Sequence, residues 1–261
     1  MKHAICQMDI IPGKPEQNRN RVAEWADRTV KKDRPDILVL PEMWTTAYTL
    51  PELENVADRE GEPTISFLKE LGRKHGVHII GGSVANKKEG RFYNTALVVN
   101  QEGELVYQYD KIHLVPMLDE PQYLSGGGSK AKVFELDGIK MGIITCYDLR
   151  FPELARKLAL DGAQVLYVVA EWPSARKNHW KSLQIARAIE NQMAVVSCNR
   201  VGITNDTPFC GTSMVTDAWG EVVAQGSEER EETITAEIDL SAVPEIRAAV
   251  PVFASRVPAL Y

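Results

Sequence analysis

Three apolar segments of this chain each end in, or lead into, a side chain able to do chemistry: Glu42 closes DILVLPE, Lys111 follows ELVYQYD, and Cys146 follows IKMGIIT. A thiol with an ordinary pKa of about 8.5 is mostly protonated at neutral pH, so a nucleophilic cysteine needs a base or a nearby positive charge. Glu42 supplies the first and Lys111 the second. An ammonium accepts no hydrogen bond, but it stabilises the oxyanion that forms when sulfur attacks a carbonyl. Cys146 is followed by YDLRFP, which reads as a sharp strand-to-helix turn, so the backbone N–H of Tyr147 is a second candidate oxyanion donor. Each residue also has a plainer reading. A cysteine on an apolar strand is most often a small buried hydrophobe, Glu42 alone a helix-starting acid, and Lys111 alone a solvated charge. In combination these readings weaken, because Glu and Lys are expensive to bury without a partner.

The elements that would carry these groups alternate between strand and helix. Residues 3–10 read as a strand, 15–32 as an amphipathic helix with Val22, Trp25, Ala26 and Val30 on one face, and 36–42 as a strand covered on both faces and ended by Pro41. A helix near 64–75 precedes VHIIGGSVA, and RFYNTALVVN with ELVYQYDK reads as a hairpin turning at Glu102-Gly103. The stretch 115–130, with MLDEPQYLSGGGSK, is too polar for a core element and long enough to border a site. Then come IKMGIITCYD as a buried strand, a helix over Pro152 to Leu160, QVLYVVAEW as a strand, a helix near 176–193, four more short strands and a C-terminal helix. The pattern predicts an α/β fold of sheet and helix layers over 1–261 as a single domain, with strand ends gathering at one rim where ligands bind. ILVLPEMW (37–44) and LYVVAEWP (166–173) echo each other, which suggests two related halves whose strand ends meet.

Composition narrows the class. Apolar residues make up 44% of 261 positions, ample for a core, and the net charge of −6 is spread over 30 basic and 36 acidic residues, so no nucleic-acid partner is expected. MKHAICQMDII lacks a signal peptide's apolar block, and no stretch is long enough to span a bilayer, so no membrane association is expected. The four scattered cysteines favour a reducing compartment, and a cytoplasmic location is expected.

LVLPEMW around Glu42, YDKIHL around Lys111 and ITCYDLRFPE around Cys146 resemble, in order and surroundings, the three signature segments of the nitrilase superfamily of carbon–nitrogen hydrolases. The similarity covers nearly the whole chain, including EWPSARKNHWKSLQIARAIENQ (171–192). It implies an α-β-β-α sandwich, usually a homodimer joined near the Cys146 segment and the C-terminal region. It also implies a second glutamate between lysine and cysteine, for which Glu120 fits better than Asp119. In the implied mechanism Glu42 takes the thiol proton, Cys146 attacks an amide carbon, Lys111 and the Tyr147 N–H hold the oxyanion, and water activated by Glu42 hydrolyses the thioester. Glu120 would hold Lys111 and polarise the substrate. No cofactor or metal is required.

Within the superfamily, PEMWTTAY, LDEPQYLS, AEWPSARKNHW and the PVF…LY ending resemble omega-amidases, which deamidate 2-oxoglutaramate or 2-oxosuccinamate. Such a small carboxylated amide needs a cationic anchor, for which Arg176 is the candidate, with a surface charge opening a helix as the equal alternative. Tyr48 and Trp172 are candidate pocket walls. An N-carbamoyl amino acid amidohydrolase on the same scaffold is the nearest rival, and a non-catalytic α/β interaction module the rival of a different class.

Other features invite over-reading. His113 and His179 could suggest a Cys-His hydrolase, although His113 reads better as a structural histidine beside Lys111. His75 and His78 straddle a helix-to-strand boundary. Gly126 to Lys130 lacks phosphate-loop spacing and reads as a flexible loop. Cys6, Cys198 and Cys210 read as packing residues.

Overall fold

The computed structural model describes residues 1–260, so Tyr261, the last residue of the PVF…LY ending, lies outside the described residues. The chain forms β1 (Lys2–Gln7), β2 (Ile37–Val39), β3 (Asp58–Arg59), β4 (His78–Lys88), β5 (Arg91–Val99) and β6 (Leu105–Asp110) in a first sheet. A second sheet takes β7 (Phe134–Leu136), β8 (Ile139–Thr145), β9 (Val165–Ala170) and β10 (Ala194–Asn199). After a small ribbon of β11 (Ile203–Thr204) and β12 (Thr207–Pro208), β13 (Met214–Thr216) and β14 (Val222–Gln225) extend that second sheet, and β15 (Glu232–Glu237) returns to pair with β1. The helices are α1 (Pro15–Asp33), α2 (Leu53–Val56), α3 (Thr64–His75), α4 (Glu120–Tyr123), α5 (Pro152–Leu160), α6 (Lys177–Asn191) and α7 (Ala242–Ala249).

Strand order is β15-β1-β2-β4-β5-β6 in one sheet and β14-β13-β10-β9-β8-β7 in the other. The centres β1-β2-β4 and β8-β9-β10 are parallel. Parallel neighbours require a crossover, and α1, α3, α5 and α6 supply these four. The echoing segments are therefore the middle strands, β2 and β9, of two similarly wound halves. Local chemistry sets the helix limits: α1 has Pro15 in its first turn and Lys31 and Lys32 in its last, while Gly76 ends α3 at φ 61°.

Alternate residues of the first sheet pack in opposite directions, as the period of two in a strand demands. Ile5, Ile37, Val39, Ile80, Ala96 and Val98 join Ile143, Tyr167 and Val196 of the second sheet in the central core. Ala4, Cys6, Leu38, Leu40, Ile79 and Leu97 turn the other way, onto Val22, Trp25 and Ala26 of α1 and Ile65, Leu68 and Leu71 of α3. With α5 and α6 packed on β8 and β10, the layers run α-β-β-α. Among the described residues no helix is long and apolar enough to cross a membrane.

DILVLPE is less strand than expected, since ladder pairing stops at Val39. Leu40 N–H still donates to Ile80 O at 2.9 Å, but Pro41 has no N–H to continue. The chain then passes Gly82, at φ 60°, where a Cβ would lie 1.9 Å from Pro41 O, so only glycine permits this crossing.

His3 faces the second sheet, with Nε2 3.0 Å from the Tyr167 hydroxyl. Burial, aided by the N-terminal ammonium, lowers its pKa from 6.5 to about 4. Between those values the unfolded chain binds the extra proton, so stability falls as pH falls through 6.5 towards 4. Denaturant titrations at about pH 7.5 and 4.5 should show wild type losing roughly 2–3 kcal/mol more than His3→Gln over that interval. Equal losses would remove His3 as the source.

Candidate active site

The ends of β2, β6, β8 and β9 bring Glu42, Lys111, Cys146 and Glu171 together, with Glu120 arriving from the first turn of α4. Glu42, Lys111 and Glu120 are all 0% exposed. Lys111 Nζ lies 2.9 Å from Glu42 Oε1 and 2.7 Å from Glu120 Oε1. Asp119, the other acid of that stretch, instead bonds Gln122 at an exposed site, so Glu120 is the one that meets the lysine.

Hydrogen bonding accounts for how such a cluster stays buried. Glu42 Oε1 also accepts from Asn94 Nδ2 at 2.8 Å, and Glu42 Oε2 accepts from the backbone N–H of Glu171 at 2.7 Å. Glu120 Oε2 accepts from the N–H of Val115 at 2.6 Å. Tyr48 lies between the acids, its hydroxyl 2.6 Å from Glu120 Oε1 and 3.0 Å from Glu42 Oε1, so its single proton has two acceptors in reach. Burial, followed by the charges of Glu120 and Glu42, pushes the Tyr48 phenol well above its ordinary range and keeps it a donor. Burial disfavours the Lys111 ammonium, but the Glu42 and Glu120 carboxylates outweigh it and hold the amine charged, well above its usual pKa.

Cys146 follows the end of β8 and opens the 3-10 turn Cys146–Arg150 at φ 48°, a left-handed conformation that costs a cysteine about 1 kcal/mol or more and turns the chain sharply. Asp148 anchors this elbow. Its carboxylate accepts from Tyr109 Oη at 2.7 Å and from the backbone N–H of His113 at 3.0 Å, and it lies 2.8 Å from His113 Nδ1. Tyr109 and His113 flank Lys111, so one buried acid ties the lysine segment to the cysteine turn. The His113 ring stacks on Phe151 at 3.5 Å, which makes it a structural histidine. His179 Nδ1 lies 3.3 Å from Arg150 Nη1, and no imidazole hydrogen bond to Cys146 is present among the described residues.

The Cys146 thiol donates to the Glu171 carbonyl oxygen, 3.9 Å from the sulfur. Burial first, then the Glu42 charge, push the thiol well above its ordinary range, against the pull of Lys111. Two carboxylates already face one ammonium, so a thiolate at rest would add a second uncompensated charge. Passing the proton to Glu42 as sulfur attacks leaves the cluster's net charge unchanged.

Cys146 opens on a cavity of ≈ 340 Å³ lined also by Met117, Leu118, Tyr147, Arg150, Trp172, Arg176 and Asp206. Trp172, Tyr147 and Arg176 thus share the space in front of the sulfur. Tyr48 does not line it. Its hydroxyl belongs to the charged cluster, and its ring borders an adjoining cavity of ≈ 210 Å³ that also meets Met117, Leu118 and Thr207. A larger surface groove, ≈ 560 Å³ between α1 and β15, contains none of the cluster and is lined by charges of both signs, including Arg28 and Glu231.

Several participants escaped sequence reasoning. Arg150 follows Cys146 by four residues, lines the cavity and stacks 4.7 Å over Trp172. Asn94 had one signal, an isolated amide in the apolar run YNTALVV. Arg200 had none. The glycine run, expected as a flexible loop, packs closely: Gly127 N–H donates to Lys111 O at 2.9 Å, and a Cβ there would lie 2.2 Å from Asp110 O.

Comparison with known proteins finds relatives along nearly the whole chain. Residues 2–248 match the family model for carbon-nitrogen hydrolases. The chain is 47% identical over 250 residues, 96% of this chain and 95% of the relative, to a 2-oxoglutaramate amidase of Bacillus subtilis (strain 168). It is 32% identical over 267 residues, 99% of this chain and 95% of the relative, to omega-amidase NIT2 of Xenopus tropicalis. The carbon-nitrogen hydrolase structure from Helicobacter pylori G27 superposes with a TM-score of 0.93 at 26% identity, covering 100% of this chain and 96% of that one. By signature, fold and likeness, this chain belongs to the carbon-nitrogen hydrolase family.

Proposed function

We propose that the protein hydrolyses the terminal amide of a small omega-amido 2-oxo acid, 2-oxoglutaramate or 2-oxosuccinamate, to the dicarboxylate and ammonia. The observation that carries this reading is the buried Glu42–Lys111–Glu120 cluster behind Cys146, facing a cavity with two guanidiniums, Arg150 and Arg176. The relatives named for 2-oxoglutaramate and omega-amides support the substrate class.

In this reading Glu42 accepts the thiol proton as sulfur bonds to the amide carbon. The carbonyl π electrons move onto oxygen, and Lys111 with the Tyr147 N–H stabilises the oxyanion. When the C=O reforms, the C–N bond breaks and nitrogen leaves as ammonia with the proton held by Glu42. Water then gives a proton to Glu42, attacks the thioester carbon and displaces sulfur, which recovers that proton. Glu120 keeps Lys111 charged and in place throughout. Arginine's planar fork suits the substrate carboxylate, and Trp172 supports Arg150 by stacking.

Incubation with 2-oxoglutaramate should release ammonia without carbon dioxide and leave an acyl adduct on Cys146 by mass spectrometry. Ammonia together with carbon dioxide from an N-carbamoyl amino acid, and none from 2-oxoglutaramate, would transfer the assignment to the carbamoyl amidohydrolases. Arg150→Met and Arg176→Met remove carboxylate contacts made in ground and transition state alike, so KM should rise roughly 10- to 100-fold with kcat less affected. An unchanged KM in both would remove the guanidiniums as anchors.

The same proposal includes a homodimer. Leu160, which ends α5, and Ile189 of α6, beside the turn at Trp219-Gly220, expose apolar surface that a second copy would cover. A cytoplasmic location accords with four buried free cysteines.

A further inference from the structure

Beyond the groups that face the cavity, the interior holds a second ion pair, Glu171 with Arg200. Both residues are fully buried. Arg200, just after β10, uses its whole guanidinium. Nη1 donates to Glu171 Oε2 at 2.7 Å and Thr204 Oγ1 at 2.9 Å, Nη2 to Asp9 Oδ1 at 2.6 Å and Ile10 O at 3.2 Å, and Nε to Val201 O at 3.0 Å. The Phe209 ring covers one face at 4.5 Å. Among the described residues Glu171 Oε1 has no hydrogen-bond partner, and burial raises this carboxyl's pKa while the Arg200 charge pulls it down and favours the ionised form.

As a source of stability such a pair is poor, because desolvating two charges offsets their attraction. Its use lies in the backbone it holds. The Glu171 N–H donates to Glu42 Oε2 at 2.7 Å, and the Glu171 C=O lies 3.9 Å from the Cys146 sulfur. One residue thus contacts both the base and the nucleophile through its main chain. The next residue is held from the same strand end, where Asn199 Oδ1 accepts the Trp172 N–H at 2.7 Å.

We infer that Glu171 and Arg200 are positioning residues for the chemistry at Cys146, their ion pair locking the residue-171 backbone so that Glu42 and the thiol meet in register. This rests on the catalytic reading above. Neither residue lines the cavity beside Cys146, so their loss acts on the chemical step and not on substrate capture.

The test uses the full-length protein with Arg200→Met, Arg200→Lys, Glu171→Gln and the double variant R200M/E171Q. The readouts are kcat and KM on 2-oxoglutaramate, iodoacetamide alkylation of Cys146 followed by peptide mass spectrometry, and thermal unfolding. Arg200→Met should lower kcat at least 30-fold with KM within threefold, and slow alkylation at least tenfold. Arg200→Lys should recover part of both losses, and the double variant should be no slower than Arg200→Met alone. If Arg200→Met does not fold, Glu171→Gln, of the same shape, should still lower kcat about tenfold at constant KM. Folded variants that keep kcat and alkylation within twofold of wild type, or that raise KM alone, overturn the inference. Wild type and Cys146→Ala are run in parallel. A wild type that turns over no amide and forms no adduct defeats the functional reading, while its alkylation rates still decide the positioning role.

Discussion

Cys146→Ala is expected to lower kcat roughly 10⁴-fold or more while leaving the protein folded. The sulfur is the atom that bonds to carbon, so no neighbour replaces it. Glu42, Lys111 and Glu120 remain mutually bonded without it, because none of their direct contacts runs through sulfur. Alanine accepts the same left-handed backbone at similar cost, and removing one buried thiol changes stability by about 1 kcal/mol. Ammonia release under saturating amide and the mass of the peptide bearing residue 146 check both halves. Turnover within tenfold of wild type, or an acyl adduct on another residue, would show that Cys146 is not the nucleophile.

Lys111→Met should cost both stability and activity. Two fully buried carboxylates would face each other across the vacated ammonium site, still bridged by Tyr48. Breaking a buried pair by removing one partner costs about 3–5 kcal/mol, and losing an oxyanion donor costs roughly 10²–10³-fold in kcat. Like charges so close do not both ionise, so the native pair takes up a proton that the unfolded chain gives up above the ordinary carboxylate range. The folded variant therefore binds more protons, and its penalty should shrink as pH falls from about 8 towards 5. Adding Glu120→Gln should restore part of the stability and none of the activity. Urea titrations at both pH values, with ammonia assays, read these outcomes. A penalty below about 1 kcal/mol at pH 8, with turnover retained, would mean that the ammonium is dispensable.

Much of this architecture was legible in the residues because burial of backbone and of aliphatic side chains follows local pattern. Aliphatic runs such as VLYVVA and MGIIT mark parallel strands covered on both faces, and helical periods between them mark the crossovers. The placement of Glu42, Lys111 and Cys146 at or just beyond strand ends follows from that pattern alone. The echo between 37–44 and 166–173 was also informative: Glu42 Oε2 meets the N–H of Glu171, so the two matching strand ends do touch. Glu120 was harder. The stretch around it reads as polar loop, and nothing local shows that its carboxylate is fully buried, because Lys111 and Val115 make that burial tolerable only after folding.

The sequence by itself determined the order of the longer strands and helices, the candidate nucleophile, base and cation, and the family to which they belong. Tertiary structure alone decided that Tyr48 bridges two acids instead of lining the Cys146 cavity, that Asp148 joins the lysine segment to the cysteine elbow, and that Arg200 reaches Glu171 from another strand. The reason is physical: an apolar side chain is buried wherever it can be, and its period shows in the sequence. A polar one is buried only where a partner distant in the chain completes its hydrogen bonds.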